Sequence, residues 1–432
     1  MNAAAHLPLA VASALAILLP LAGAVVVGLQ LLARAQWLGE RAVTRVVRGA
    51  LLGSLVAAGA LLAQVLGGAG AARAGELDFG SWLSVGTYQI PLVLLVDELA
   101  VVFSVLAAVL TWLVGTFSRT YLHREPGFAR FYVLLGLFAA GTQLVALAGA
   151  LDLLFAGWEL IGISSALFIG FFHEREMPAR SSVRAFATYR LCDTGLLIAM
   201  VTLHELLGST RLSALPQAAA LSPAARGTVA ALLLLAAMGK SAQLPFSGWL
   251  PRAMEGPTPS SALFYGAISI HAGVFLLLRV APVLAAAPVV EAAGVLVGVL
   301  TAWYATLVAR THTDAKGALA HATLAQIGLI LAEICLGLTT LALVHLVCHA
   351  LLRSWQFLRA PNTIHDAHAF GHHEGHPGGA GGGMGDRLYA LGLHRGRLDE
   401  RIDAAVRPVL ALSRLLGRLE RGIRWLSAGG RT

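Results

Sequence analysis

Residues 227–250 read GTVAALLLLAAMGKSAQLPFSGWL, a long apolar run that ends on a lysine. No ionisable side chain occurs between Gly227 and Gly239, and Lys240 is one of only two lysines in the chain. An ammonium at the end of such a run is costly in hydrocarbon or in a protein interior. Ionisable residues at that depth are rare, face a partner or a wet cavity, and mark ion pathways. The competing reading is a helix-ending lysine that snorkels to the interface. Gly239 before the lysine and Gln243-Leu244-Pro245 after it predict that the helix breaks here. Broken helices inside membranes are tolerated where they line a site.

Composition sets the class around that stretch. Hydrophobic residues make up 57% of the 432 and charged residues 12%, with a mean hydropathy of +0.75. A soluble domain carries roughly 25% charged residues. The chain reads as an all-α, polytopic membrane protein. Apolar segments at about 9–32, 47–69, 94–117, 131–149, 151–171, 185–206, 227–255, 258–280, 287–309, 316–335 and 339–358 predict about eleven transmembrane helices, the seventh broken near Lys240. The first run, from about Leu7 to Leu32, is long enough to span and ends at Arg34, and reads as a span rather than a convincing cleavable signal. Residues 75–98, GELDFGSWLSVGTYQIPLVLLVDE, alternate and carry turn residues, predicting a short surface hairpin. Cys192, Cys335 and Cys348 lack metal-like or disulfide-like spacing and read as small packing residues.

Residues 1–360 form the expected transmembrane domain. Residues 361–385, with HDAHAFGHHEGHPGGAGGGMG, read as a flexible His- and Gly-rich loop. Clustered imidazoles at His365, His368, His372, His373 and His376 suit a transition metal, but no cysteine or firm scaffold supports one, and no metal site is assigned. Residues 386–432 read as a basic amphipathic helical tail. Leu398, Ile402, Ala405, Val409, Leu412, Leu416 and Leu419 fall on one stripe, which fits a membrane surface or a partner.

Loop charges predict orientation. Arg34, Arg41, Arg45 and Arg48 follow the first span, Arg119, Arg124 and Arg130 the third, and Arg175, Arg180 and Arg184 the fifth. Arg310 and Lys316 follow the ninth, and Arg353 and Arg359 close the eleventh. All lie on one side if the N-terminus faces out and the C-terminus is cytoplasmic. The net charge of +8 is then explained by this bias and by the anionic headgroups of the lipid bilayer. The arginines form no nucleic-acid motif, so no nucleic-acid partner is expected.

Polar residues inside the spans carry the function. Glu159 lies in LLFAGWELIGISS, flanked by apolar residues. Arg190 and Asp193, in AFATYRLCDTGLL, are three apart and share a helix face, so they can pair. Tyr265 and His271 sit in the eighth span, and Glu333 late in the tenth. His345 and His349, in LVHLVCHALLRSW, are four apart, and Arg353 continues their face by four more. Any one buried histidine is more often a satisfied core residue. A row of titratable groups at membrane depth is what a proton relay uses, because each group accepts from one neighbour and passes to the next. No catalytic constellation and no GxxxxGK[ST] nucleotide loop is present. GGAGGGMG follows no strand and reads as linker.

On these residues the chain resembles a known family. GKSAQLPFSGWLPRAMEGPTPSSAL, residues 239–263, resembles the signature of the antiporter-like subunits of respiratory complex I and of Mrp cation antiporters. FAGWELIGISS resembles its fifth-helix motif, and DAKGALAHATLAQIGLIL and HLVCHALLRSWQFL its later helices, so that the similarity covers about residues 90–360. The resemblance implies an antiporter-like fold, a buried gating pair at Glu159 and Lys240, and a supporting ion pair at Arg190 and Asp193. The proton path it implies runs through Glu159, Lys240, Tyr265, His271, Glu333, His345, His349 and Arg353.

Departures accompany the match. Tyr265 stands where the family usually has a histidine, and Arg353 where it usually has a lysine. Arginine stays protonated and cannot exchange a proton as lysine does. The sequence also ends short of the family's last spans and lateral helix, which weighs against a complex I role. SRTYLHREPGFARFYVLLGLFAAG, FFHEREMPARSSVRAFATYRLCDTGLL and RSWQFLRAPNTIHD look like the DabA–DabB family of two-part inorganic-carbon accumulation systems. That resemblance implies an energy-coupling membrane subunit in a bacterial inner membrane, driven by protons or sodium. It also implies a peripheral, cytoplasmic DabA-like partner resembling a carbonic anhydrase. Zinc belongs to that partner, and no cofactor is expected in this chain. Competing readings are a proton-pumping subunit of an NADH–quinone oxidoreductase or Mrp-type antiporter, and a passive anchor with a decayed proton path.

Overall fold

A computed structural model of the chain describes residues 3–33, 38–67, 75–86, 88–312, 314–360 and 384–393, with positions 395, 398, 400–402 and 404. The His- and Gly-rich loop and most of the basic tail lie outside the described residues, as does Arg34.

In lipid every backbone N–H and C=O needs an internal partner, so apolar runs of this length fold as helices. They are α1 (Ala3–Leu32), α2 (Glu40–Gly67), α3 (Glu98–Tyr121), α4 (Phe128–Leu147), α5 (Leu151–Ile169) and α6 (Glu176–Leu207). An antiparallel hairpin of β1 (Gly75–Val85) and β2 (Tyr88–Val96) separates α2 from α3, as the alternation predicts. After α7 (Pro223–Lys240) the chain continues in short pieces, including α8 (Trp249–Arg252), α9 (Thr258–Ser260), α10 (Ala272–Arg279) and α11 (Ala281–Ala285). Then come α12 (Pro288–Ala309), α13 (Ala315–Cys335), α14 (Thr339–Arg359) and α15 (Met384–Leu393), which packs on α12.

Nine helices among the described residues are long and apolar enough to cross a membrane. The other two expected crossings exist but are interrupted. Their ends are fixed by contacts on opposite faces of the bundle. On the hairpin face, Ala150 bridges Arg211, and the Arg211 guanidinium reaches Asp78 at 2.6 Å. On the other face, the Tyr121 and Thr258 hydroxyls meet at 3.0 Å, and His123 and Arg124 meet Glu40. The chain is back at the hairpin face at Arg279, which pairs with Asp97, the N-cap of α3. Residues 223–255 and 258–280 therefore each cross once, which gives eleven passes among the described residues, two of them broken. The first break follows from Pro245, which cannot donate a helical hydrogen bond and disfavours helix in the residue before it. In the second, Ser261–Tyr265 widen into a π-turn and residues 266–271 are irregular.

Glycines let backbones approach where a side chain would collide, as in other membrane bundles. A Cβ on Gly157 would lie 2.8 Å from the Gly141 carbonyl oxygen, which seats α5 against α4. Gly298 and Gly328 face each other's carbonyls in the same way between α12 and α13. Large apolar side chains such as Val56, Val183, Leu191, Trp303 and Trp355 point outward, as a lipid-facing surface requires. Cys192 and Cys335 are buried, but Cys348 is exposed, which corrects its reading as a packing residue. Only one side of α14 meets the bundle, and Cys348 falls outside it.

Candidate functional site

The unwinding after Lys240 leaves its ammonium at a helix end inside the bundle, with no exposed surface. Its Nζ lies 3.9 Å from the Asp193 carboxylate and donates to the Trp158 carbonyl at 3.3 Å. It also sits 4.7 Å from the Trp158 ring centroid and 4.8 Å from that of Tyr189, a geometry that favours a cation through the ring quadrupoles. A Cβ on Gly162 would lie 3.0 Å from Nζ, so the missing side chain makes room for the ammonium.

Arg190 connects the two acids. Its guanidinium donates to Glu159 through Nη1 and to Asp193 through Nη2, the latter at 2.8 Å. Trp158 Nε1 donates to the second Asp193 oxygen at 2.5 Å. The order is thus Glu159, Arg190, Asp193, Lys240. The resemblance implies a direct Glu159–Lys240 pair, and the structure instead interposes Arg190. The reason is spacing: Arg190 and Asp193 share one face of α6, and that face lies between α5 and the end of α7. Two carboxylates and two cations sum to zero charge; Lys240 and Asp193 are almost fully buried, where an uncompensated ion is very costly, while Glu159 and Arg190 keep partial exposure. Glu159 Oε1, Arg190 Nε and the Tyr189 hydroxyl are buried without a hydrogen-bond partner. Unsatisfied polar atoms of this kind are scarce in folded proteins and call for an explanation.

The second break holds a second polar group. Tyr265 is fully buried, and its hydroxyl donates to the Ser165 carbonyl at 3.0 Å. Ser165 and Ser269 hydroxyls meet at 3.1 Å, and Ser241 donates to the Ile270 carbonyl at 2.8 Å. These hydroxyls carry polarity from the lysine towards His271. His271 Nε2 faces His349 Nδ1 at 3.0 Å, and Arg353 Nε reaches His349 Nε2 at 3.3 Å. His345 stands edge-on to His349, with ring centroids 6.3 Å apart, but its hydrogen bonds go elsewhere. Its Nδ1 meets Glu333 at 2.9 Å and its Nε2 meets Gln326 at 3.1 Å. The expected residues therefore fall into three groups: the charged quartet, with Tyr265 linked to its Tyr189 through the Trp249 ring; the His271–His349–Arg353 chain; and a Glu333–His345–Gln326 cluster that touches the chain edge-on at His349.

Sequence reasoning missed Trp158, Tyr189, Gly162 and Gln326. Trp158 was visible as the neighbour of Glu159, but its double use, as ring and as donor, depends on where α6 and α7 place their ends. Asp152 was also missed. It accepts from Tyr88 at 2.6 Å and from Thr210, and ties the hairpin to the start of α5. Among the described residues no three His, Cys, Asp or Glu side chains converge to hold a metal.

Interrupted helices that bury a lysine–aspartate pair within an ionisable quartet define a multi-pass membrane protein built around a charge-handling site. Residues 148–374 match the family described as NADH:quinone oxidoreductase/Mrp antiporter, TM, and the chain belongs to that family. Residues 82–132 match NADH-Ubiquinone oxidoreductase (complex I), chain 5 N-terminus. The chain is 35% identical over 356 residues to NAD(P)H-quinone oxidoreductase chain 5 of Synechocystis sp., covering 80% of this chain and 52% of that protein. It is 36% identical over 309 residues to the probable inorganic carbon transporter subunit DabB1 of Halothiobacillus neapolitanus, covering 69% of this chain and 53% of that protein. Among solved structures, the Mrp complex from Dietzia sp. DQ12-45-1b matches with a TM-score of 0.69 at 28% identity, over 80% of this chain and 37% of that one. The chain spans about half the length of these curated relatives.

Proposed function

We propose that this chain is the proton-coupling membrane subunit of an inorganic-carbon uptake system, supplying a cytoplasmic, zinc-bearing DabA-like partner with energy from a cation gradient. The observation that carries the coupling is the zero-charge quartet at the first helix break. When Glu159 takes up a proton, Arg190 and Lys240 together outweigh Asp193, and the site carries an excess positive charge. Loss of a proton from Lys240 restores neutrality, so one proton entering at Glu159 expels one at Lys240. One charge crossing 100 mV yields about 2.3 kcal/mol, enough to shift a protonation balance by more than tenfold. The released proton passes by the Ser241, Ser165 and Ser269 hydroxyls towards Tyr265 and His271. The N-terminus lies outside, and the arginine-rich face is cytoplasmic and meets the partner.

The carbon reading is supported by the likeness to DabB1 and by residues 118–141, 171–197 and 353–366. The similar identity to a quinone oxidoreductase chain favours the alternative of a redox-driven proton pump. Affinity purification of the tagged chain from native membranes in mild detergent, with mass spectrometry, separates the two. A single large zinc protein is the expected companion, and a set of respiratory or antiporter subunits would replace this reading with the alternative. Lys240→Met and Glu159→Gln should each abolish carbon-dependent growth while the protein stays in the membrane. Normal growth of both would refute the coupling role.

A further inference from the structure

Donors and acceptors at the second break run in one direction only. The irregular turn at 266–271 sends the backbone N–H of His271 to Ile268. The Ala267 carbonyl instead meets His271 Nδ1. A carbonyl only accepts, so His271 carries a proton on Nδ1. Its Nε2 and His349 Nδ1 are 3.0 Å apart, so one of the two donates to the other. At the far end Arg353 Nε, which only donates, faces His349 Nε2 at 3.3 Å. His349 Nε2 is therefore an acceptor, so its proton sits on Nδ1 and is donated to His271 Nε2, which accepts. The guanidinium is steadied by Gln356, whose Oε1 accepts from Nη1 at 2.7 Å. Both imidazoles are neutral Nδ1–H tautomers, and the series runs from Arg353 through His349 and His271 to Ala267.

Such a series conducts only if a proton can be added at one end and the bonds can then reverse. Neither occurs while Arg353 is in place. A proton on His349 Nε2 would point at the Arg353 N–H. A proton on His271 Nε2 would force His349 to accept through Nδ1, which moves its own proton to Nε2 and produces the same clash. We propose that Arg353 is a positioning residue, a latch that holds the His271–His349 pair in one hydrogen-bond direction and closes it to protons until the guanidinium withdraws. This inference rests on the proton-path reading for its purpose, but the geometry is independent of it. It also gives a use to an arginine that cannot itself relay a proton.

The test uses the full-length chain in liposomes. Nitrogen-15 resonances of the imidazoles distinguish Nδ1–H from Nε2–H, with signals assigned by their loss in His271→Gln and His349→Gln. In the wild type both residues should show the Nδ1–H form at neutral pH. Arg353→Gln should give mixed tautomers and raise passive proton flux under an imposed potassium–valinomycin potential by about tenfold, the lower end expected for losing a hydrogen bond from a charged donor. Arg353→Lys, which restores a cationic donor, should return the wild-type spectrum. An Nε2–H or doubly protonated imidazole at either position in the wild type overturns the latch, even if no Arg353 variant folds. So does an Arg353→Gln protein with unchanged spectrum and flux. Intact growth in Glu159→Gln alongside the expected tautomers would instead refute the path and leave the latch standing.

Discussion

Exchanging Asp193 for asparagine and Lys240 for methionine, singly and together, tests whether the quartet is held by its charge balance. The Asp193 carboxylate and Lys240 Nζ are 3.9 Å apart, and both side chains are almost fully buried. With an effective dielectric constant of about 20, that separation corresponds to about 4 kcal/mol of attraction. Asp193→Asn leaves Arg190 and Lys240 with only Glu159, an excess of one positive charge. Lys240→Met leaves Glu159 and Asp193 with only Arg190, an excess of one negative charge. Each single change should destabilise by about 3–5 kcal/mol, the usual cost of breaking a buried pair. The double variant returns to one acid and one cation, Glu159 with Arg190. It should therefore be more stable than the sum of the singles by about 4 kcal/mol. Unfolding of the purified protein in mixed micelles, by rising SDS fraction, measures all four stabilities. Additive losses, to within about 0.5 kcal/mol, would mean that the two residues do not share a charge site and would refute the neutrality argument.

Two further outcomes concern the scaffold. Asp314 caps α13 by accepting from Gly317 N–H at 2.5 Å, and His312 contacts the same carboxylate at 3.2 Å. His312 first, and then the Gly317 N–H, hold its carboxyl down at about 2 against the opposing effect of burial. A lowered carboxyl stabilises the fold above its unfolded value near 3.9 and loses that contribution as pH falls towards 2. Asp314→Ala should cost about 1 kcal/mol at neutral pH, and the gap from wild type in thermal unfolding should narrow below pH 4. A gap independent of pH would show that the carboxylate is not the stabilising group. Gly157→Ala would put a methyl 2.8 Å from the Gly141 carbonyl oxygen. Because the obstacle is backbone, it should lower stability by about 1–3 kcal/mol, read as a fall in the unfolding midpoint. An unchanged midpoint would mean that α4 and α5 separate easily.

Much of the architecture was readable because hydropathy and helix breakers act locally. The stop at Lys240 follows from Gln243-Leu244-Pro245, and the hairpin from the alternation over residues 75–98. The pass count was readable as well, but not that the eighth pass would be broken, since no proline lies between Ser260 and Pro282. Within the site, Arg190 and Asp193 were legible as a pair through their spacing of three. Their position between Glu159 and Lys240 was not, because it depends on how three helices cross. His345 and His349 show the same limit. A spacing of four puts them on one side of α14, yet their partners come from different elements, Glu333 and Gln326 on α13 for one and His271 for the other. Glycine gave no warning either: Gly162 reads as a small residue in a helix, and only the arriving ammonium shows what its missing side chain makes room for.

The burial of Lys240 has a practical side. The chain has only two lysines, and Lys316 lies in the first turn of α13, near the end of the bundle. An amine-acylating reagent therefore meets just one lysine at membrane depth, and that one has no exposed surface. Trp158, Tyr189 and Asp193 must part before the reagent can reach it. The rate at which Lys240 becomes labelled in intact membranes is thus a clock for the opening of the site, readable peptide by peptide without a reporter group being added to the protein.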